Sequence, residues 1–543
     1  MPSSQRSVNR PSRKWPTVAW IAIVGVGAAG LLTAVASARP DSTAQGSPLV
    51  INSAQAPATL DPGAGCLAPE VGFIANFYAR LTQYGTKAGP NGTRQVDPAN
   101  IRPWVAKSWT ISKDGLTYTF KLRTGLKFPS GKPVNAAAVK YSIDRAITMA
   151  LCGSAFLLDN RFDPLVIKKV STPDDETVVL RLSGPNQNML QDLAMPAGGI
   201  VDPAAVEAHG GVQAGKINTW MASHVAGYGP YLLQSYQANK SAVLVANPTF
   251  FDPPASKKII VSFISSDPTL LLNARSGKAD VTLGLTKQSI NSLKTNSCCR
   301  IVANDGPFAQ QVVFNNKRAP FTNKTFREAL TYAVPYTDIQ SKIVYGYGRL
   351  FYGEWVPYFP WFNAKIGKPR AFDMKKAQAL IAKSGVKTPI TIGLLLPEGD
   401  NVGEQVATTL QGIWRQLGIT VNIDKATSAD YINTLNAHKH QAAMYLDGPG
   451  VIAADYLWGY DATCGITYSY TQFCSKPADK MIRQLWTTKD PAKRQKLTDS
   501  ANKLWIAGSP AIKVYADKYV AILSPKVKGY VYSHLPEFRG WSK

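Results

Sequence analysis

Strand-like segments alternate with segments of helical period along most of this chain. That alternation restricts the fold to mixed α/β units, with helices laid against a sheet. The clearest unit begins at Ile390-Thr-Ile-Gly-Leu-Leu-Leu396, a buried strand that runs into Pro397 and Gly399. Residues 405–417 then read as a helix that Gly418 ends, and residues 419–423 form the next strand. Residues 136–148 predict another helix, because Val139, Ile143 and Ile147 recur at four-residue spacing on one face. Residues 326–333 and 377–382 are shorter helices of the same type, and residues 117–122 and 178–182 are strands. A length of 543 residues exceeds what one core supports and predicts about three domain-sized units. A hydrophobic content of 45 % excludes a disordered chain.

The N-terminus stands apart from this pattern. Arg6, Arg10, Arg13 and Lys14 precede an apolar run over residues 18–35, and Ala36-Ser37-Ala38 follows. That is the layout of a secretory signal cleaved before Arg39. The run is also about as long as a membrane span, so a retained anchor is the alternative. No Cys lies near it, so a lipid-anchoring site is absent. Gly25-Val-Gly27-Ala-Ala-Gly30 matches a dinucleotide-binding spacing, but it sits inside the export segment without a preceding strand, which excludes that use.

Export implies an oxidising compartment. Six cysteines allow 15 pairings, among which sequence does not choose. Cys464 and Cys474 flank a short Tyr-rich loop and read as a loop-closing pair, contributing about 3 kcal/mol in the chain-entropy picture. Cys66 with Cys152 is a second candidate pair. The adjacent Cys298 and Cys299 either form a vicinal disulfide or stay free. No C-x-x-C occurs and the His residues are isolated apart from His438 and His440, so no metal site is expected. The formal charge is +25, yet Lys and Arg never form a run of five. We read this as a dispersed basic surface, with an anionic ligand or surface as the other reading; nucleic-acid binding is not expected.

Ala226-Gly-Tyr-Gly-Pro-Tyr-Leu-Leu233 reads as a turn feeding a strand, in which glycine supplies unusual backbone angles. A second strand over residues 242–246 ends at Asn247-Pro248. Other blocks accompany this corner in order: Thr59-Leu60-Asp61-Pro62 ahead of a helix over residues 74–81, Pro103-Trp104-Val105-Ala106, and Val139-Lys-Tyr-Ser-Ile-Asp-Arg-Ala146. Phe326-Arg-Glu-Ala-Leu330, Leu417-Gly-Ile-Thr-Val421, Ala454-Asp-Tyr456 and Asp490-Pro-Ala-Lys-Arg494 follow. The ordered set resembles the family 5 extracellular solute-binding proteins, the peptide receptors of ABC importers.

The resemblance implies an α/β, two-lobed, type II periplasmic-binding-protein-like fold with an inserted subdomain and a ligand cleft between the lobes. Residues 1–38 would be the signal peptide or anchor and 39–47 a linker. Lobe I would comprise 48–88 and 213–305, with 89–212 inserted, lobe II would be 306–519, and 520–543 would return to lobe I. A hinged cleft suits capture, because closure buries the ligand and creates a state that a membrane permease senses.

Nothing in the sequence supports catalysis. There is no G-x-S-x-G, H-E-x-x-H or P-loop, and the two S-x-x-K matches at Ser384 and Ser500 lack the companion motifs. For binding, residues 444–460 hold two acids and four aromatics around Gly448-Pro-Gly450. In peptide-binding relatives the acid at the position of Asp455 pairs with the ligand α-ammonium, a charge-assisted bond of roughly 1.5–3 kcal/mol; otherwise Asp455 caps a turn. Tyr456, Trp458 and Tyr445 are candidate stacking walls or core aromatics. Leu67 and Ala68 would offer main-chain groups to an extended ligand. Ile452 stands where many peptide binders have Trp, so an oligosaccharide or other polar solute is the alternative ligand. The expected protein is an exported monomer without cofactor, at the outer face of the membrane or in the periplasm, working with permease subunits.

Overall fold

The computed structural model describes residues 47–65, 68–151, 153–154, 157, 166–448, 463–465, 469–533 and 536–543. Eighteen strands are found among them. The first seven are β1 (Leu49–Ser53), β2 (Thr82–Ala88), β3 (Arg94–Pro103), β4 (Ala106–Ile111), β5 (Thr117–Leu122), β6 (Ile167–Asp174) and β7 (Thr177–Leu182). Then come β8 (Tyr231–Gln237), β9 (Ser241–Ala246), β10 (Lys258–Phe263), β11 (Val281–Leu283), β12 (Arg300–Phe314) and β13 (Gly348–Arg349). The last are β14 (Ile390–Pro397), β15 (Ile419–Ala426), β16 (Ala442–Asp447), β17 (Ala511–Leu523) and β18 (Val531–Tyr532).

The largest sheet runs β15-β14-β16-β12-β17-β11-β1-β10-β9-β8, with β13 beside β17. At one end β14 pairs in parallel with β15 and β16; near the other, β1 pairs in parallel with β10 and β11. The antiparallel pair β12 and β17 joins the halves. Arg300 to Asp305 pair with Leu523 to Lys518, the register then shifts, and Ala309 to Val313 pair with Ala516 to Ala511. At 15 and 13 residues these strands are far longer than the usual five or six, because each serves two cores. Val302, Ala521 and Leu523 pack with Ile51 and Trp541. Val312, Phe314, Ile512 and Val514 pack with Leu410 and Trp414. A separate four-stranded sheet, β4-β5-β7-β6, covers the helix Ala136–Met149 and builds a third core around Phe120, Val139 and Leu180.

The helix Asn401–Arg415 starts earlier than its periodicity indicates. Asp400 caps it by accepting from the Gly403 amide at 2.8 Å. Val406, Leu410 and Trp414 form its buried stripe, and Trp414 Nε1 donates to the Ala333 carbonyl at 3.0 Å. The predicted helix over residues 74–81 is corrected: the helix is Ala68–Ile74, and it ends where that prediction began. Asn76 ends it. Its Nδ2 donates to the Gly72 carbonyl at 3.0 Å and to the Pro536 carbonyl at 3.0 Å, and its Oδ1 accepts from the Phe538 amide at 2.6 Å. A side chain that takes the last carbonyls and also holds the C-terminal segment stops propagation.

The chain beyond Asn76 runs against the Gly-Tyr-Gly-Pro corner, and here too the reading changes. Neither Gly227 nor Gly229 has a positive φ. Both are needed for close approach: a Cβ on Gly227 would lie 2.4 Å from the Phe77 carbonyl oxygen, and one on Gly229 would lie 2.3 Å from the Phe77 carbonyl carbon. The Ala79 amide donates to the Tyr228 carbonyl at 2.6 Å, and Asn247 donates through Nδ2 to Gly229 at 3.0 Å and through its amide to Pro230 at 2.9 Å. Two other sequence blocks meet in a buried ion pair, where Arg145 donates to both Asp61 oxygens at 2.8 and 2.6 Å. Gly229→Ala should therefore destabilise the fold by about 3 kcal/mol, the upper range for overpacking, since its neighbour is backbone. Gly412→Ala, in mid-helix with nothing within 4 Å of the new Cβ, should stabilise by up to about 1 kcal/mol. Urea unfolding followed by circular dichroism separates the two; equal midpoints would remove the close-approach account.

Candidate functional site

The parallel strands β1, β10 and β11 end together at Ser53, Phe263 and Leu283. In open α/β sheets ligands bind beyond such carboxyl ends. Here the strand ends open on a cavity of ≈ 170 Å³. Pro69, Gly72 and Phe73 of the helix Ala68–Ile74 form one wall, and Phe308 of β12 and Tyr519 of β17 form another. Phe73 and Phe263 meet edge to face at 5.7 Å, and the Tyr519 and Tyr532 rings lie 5.1 Å apart. Tyr532 is buried, and its hydroxyl has no hydrogen-bond partner among the described residues. Burial holds that hydroxyl well above the ordinary phenol range, so it remains a neutral donor at physiological pH.

The cavity adjoins the segment that the sequence singles out. β16 ends at Asp447, and a Cβ on Gly448 would lie 2.0 Å from the Phe308 ring, so only glycine passes there. The chain then enters residues 449–462. Asp455, Tyr456 and Trp458 are among these and lie outside the described residues, as do Leu67, Cys66 and Cys152. Ala68 opens the helix that walls the cavity. Tyr445 is half-buried in β16, where its ring sits edge-on to Tyr470 at 5.2 Å in the core around Trp355 and Trp505.

A buried charge cluster underlies the end of β16. Lys513 of β17 lies 3.1 Å from Glu354 and 3.6 Å from Asp447, and all three are nearly inaccessible. Its ammonium also stands over the Trp505 ring at 5.4 Å. The cluster ties β16, β17 and the turn at Glu354 together where the chain leaves for residues 449–462. Sequence reasoning missed it, although a lysine inside the apolar run Ala511-Ile-Lys-Val-Tyr-Ala516 was a usable signal. It also missed Phe73, Phe263, Phe308 and Tyr519, which carry no local signal of function.

Comparison with known proteins identifies the family. The profile of the bacterial extracellular solute-binding proteins, family 5 middle, matches residues 100–469, more than half of the chain. The chain belongs to this family. It is 27 % identical over 495 residues to the probable D,D-dipeptide-binding periplasmic protein DdpA of Escherichia coli (strain K12), covering 90 % of this chain and 92 % of that one. It is 25 % identical over 437 residues to the glutathione-binding protein GsiB of Escherichia coli O6:K15:H31, covering 78 % and 82 %. The ABC transporter-associated periplasmic binding protein DppA of Helicobacter pylori, solved in complex with the peptide STSA, superposes with a TM-score of 0.78 at 21 % identity, covering 91 % and 98 %. The fold of this solute-binding protein is therefore the two-lobed type II periplasmic-binding-protein architecture. Among the described residues no helix is long and apolar enough to cross a membrane; residues 18–35 lie outside them.

The loop that follows the candidate segment is held by two further contacts. The sulfurs of Cys464 and Cys474 lie 2.09 Å apart; elsewhere, between the helix Lys287–Ser292 and β12, those of Cys298 and Cys299 lie 2.25 Å apart. His440 Nε2 donates to the Tyr470 carbonyl at 2.9 Å, inside the span that Cys464 and Cys474 bracket. Burial depresses the His440 pKa to about 4, with His438 and Arg318 adding repulsion, and its Nδ1 has no partner among the described residues. The folded state thus binds this proton less readily than the unfolded chain, whose value is 6.5. The stabilisation is present above pH 6.5 and is lost as pH falls toward 4, on the order of 3 kcal/mol in full. Urea midpoints at pH 7 and pH 4.5 should diverge more for wild type than for His440→Gln; parallel shifts would exclude His440 as the titrating group.

Proposed function

We propose that this chain captures a short peptide in a cleft between its lobes and delivers it to the membrane permease subunits of an ABC importer. It does so as an exported monomer, at the outer face of the membrane or in the periplasm, and catalyses no reaction on its ligand. The observation that carries this reading is the aromatic cavity at the ends of β1, β10 and β11, closed by the crossing strands and adjoining Gly448. The relatives that align along most of the chain are named for a dipeptide and for glutathione, both peptide-like solutes.

We assign lobe I to 48–88, 213–305 and 520–543, the inserted subdomain to 89–212 and lobe II to 306–519. Support comes from the separate cores around Ile51, Phe120 and Leu410 and, among the described residues, from strands that cross only as β12 and β17. Asp455 is the proposed partner of the ligand α-ammonium, and the segment holding Leu67 and Ala68 is the proposed main-chain contact.

The ligand is found first, by native mass spectrometry of protein purified without exchange. Calorimetry with that peptide then tests the charge partner. Asp455→Ala should weaken binding by 2–5 kcal/mol, roughly 30-fold to several thousand-fold, because an ammonium would be left desolvated and unpaired. Acetylating the peptide N-terminus should cost wild type a similar amount, and the two losses should not add. An Asp455→Ala protein within about twofold of wild type would make Asp455 structural and favour an uncharged ligand such as an oligosaccharide.

A further inference from the structure

We propose that the cavity at the strand ends is a side-chain subsite that selects a bulky apolar residue, aromatic or branched aliphatic, in the bound peptide. The inference rests on the peptide reading above and adds the class of peptide to it. Two observations support it.

The first is size. At ≈ 170 Å³ the space compares with the roughly 150 Å³ apolar cavity that accepts a benzene ring. A Leu, Ile or Phe side chain fills such a volume, and an Ala methyl leaves most of it empty.

The second is chemistry. None of the residues lining the cavity is charged, and Phe73, Phe263, Phe308, Leu283 and Val261 are among its apolar walls. A Lys or Glu side chain would enter without a counter-charge and would pay its full desolvation. Water is a poor occupant as well, since it needs two to four polar partners. The Ser53 hydroxyl already donates to the Gln55 carbonyl at 2.9 Å.

The test is a peptide series based on the ligand recovered by mass spectrometry, with each position replaced in turn by Ala, Leu, Phe, Trp and Glu, measured by calorimetry. At one position Leu or Phe should bind 10- to 100-fold more tightly than Ala, and Glu should bind more weakly than Ala. Gln55 is exposed and lines the cavity, so Gln55→Trp should fill the space and reduce that preference to less than threefold without lowering the melting temperature. Phe263→Ala should enlarge the space and shift the preference toward Trp. Tight binding with no position favouring Leu or Phe, or a full preference surviving in Gln55→Trp, would overturn the subsite while leaving the peptide reading intact. Absence of binding by every peptide, with a non-peptide solute recovered instead, would overturn the peptide reading and this inference with it.

Discussion

The pairing of β12 with β17 is the constraint on which the rest of the molecule depends. Among the described residues, no other strands in the large sheet connect its two groups of parallel strands. Each crossing strand carries apolar residues for one core at one end and for another core at the other end. The ladder holds near both ends and breaks between Asp305 and Ala309. A Cβ on Gly306, inside the break, would lie 2.8 Å from the Asp517 carbonyl oxygen, so the strands stay in close contact even where the register fails. A local break in an otherwise firm antiparallel pair is where a sheet bends most easily. Phe308 lies in that break and also walls the cavity. The bend and the candidate site are thus built from the same few residues.

Much of the fold was legible because it depends on local periodicity. Helices at residues 136–148, 326–333, 377–382 and 405–417 each have an apolar stripe that the core uses, and the observed elements differ mainly at their ends. The errors came from long-range contacts. Residues 74–81 have helix-compatible side chains, but Asn76 is claimed by the backbone at Pro536 and Phe538, about 460 positions away in sequence. The glycines of the corner read as turn formers; their actual burden is the Phe77 backbone pressed against them, which local sequence does not encode.

The site was legible only where chemistry clusters in sequence. Residues 444–460 draw attention because acids, aromatics and glycines stand together. The cavity offers no such cue. Its walls come from strand ends near residues 53, 263 and 283, from one helix, from two crossing strands and from the C-terminal segment, and most of them are ordinary apolar side chains. Such a site exists only once the topology has brought those ends together.

This division explains what a family resemblance carries. Several of the residues that mark the family in this chain do structural work: Asp61 and Arg145 neutralise each other in the interior, Gly227 and Gly229 admit the Phe77 backbone, and Asn247 clamps the turn. None of them lines the cavity. Replacing any of them leaves a buried charge, a clash or an unpaired backbone group, whatever the solute. The cavity walls face no comparable constraint. Exchanging one apolar side chain for another there changes shape and volume at modest cost in stability. A scaffold held by buried polar contacts can therefore keep its form while the cavity changes its preference, and the identity of the solute must be read from the walls of the site rather than from the motifs that name the family.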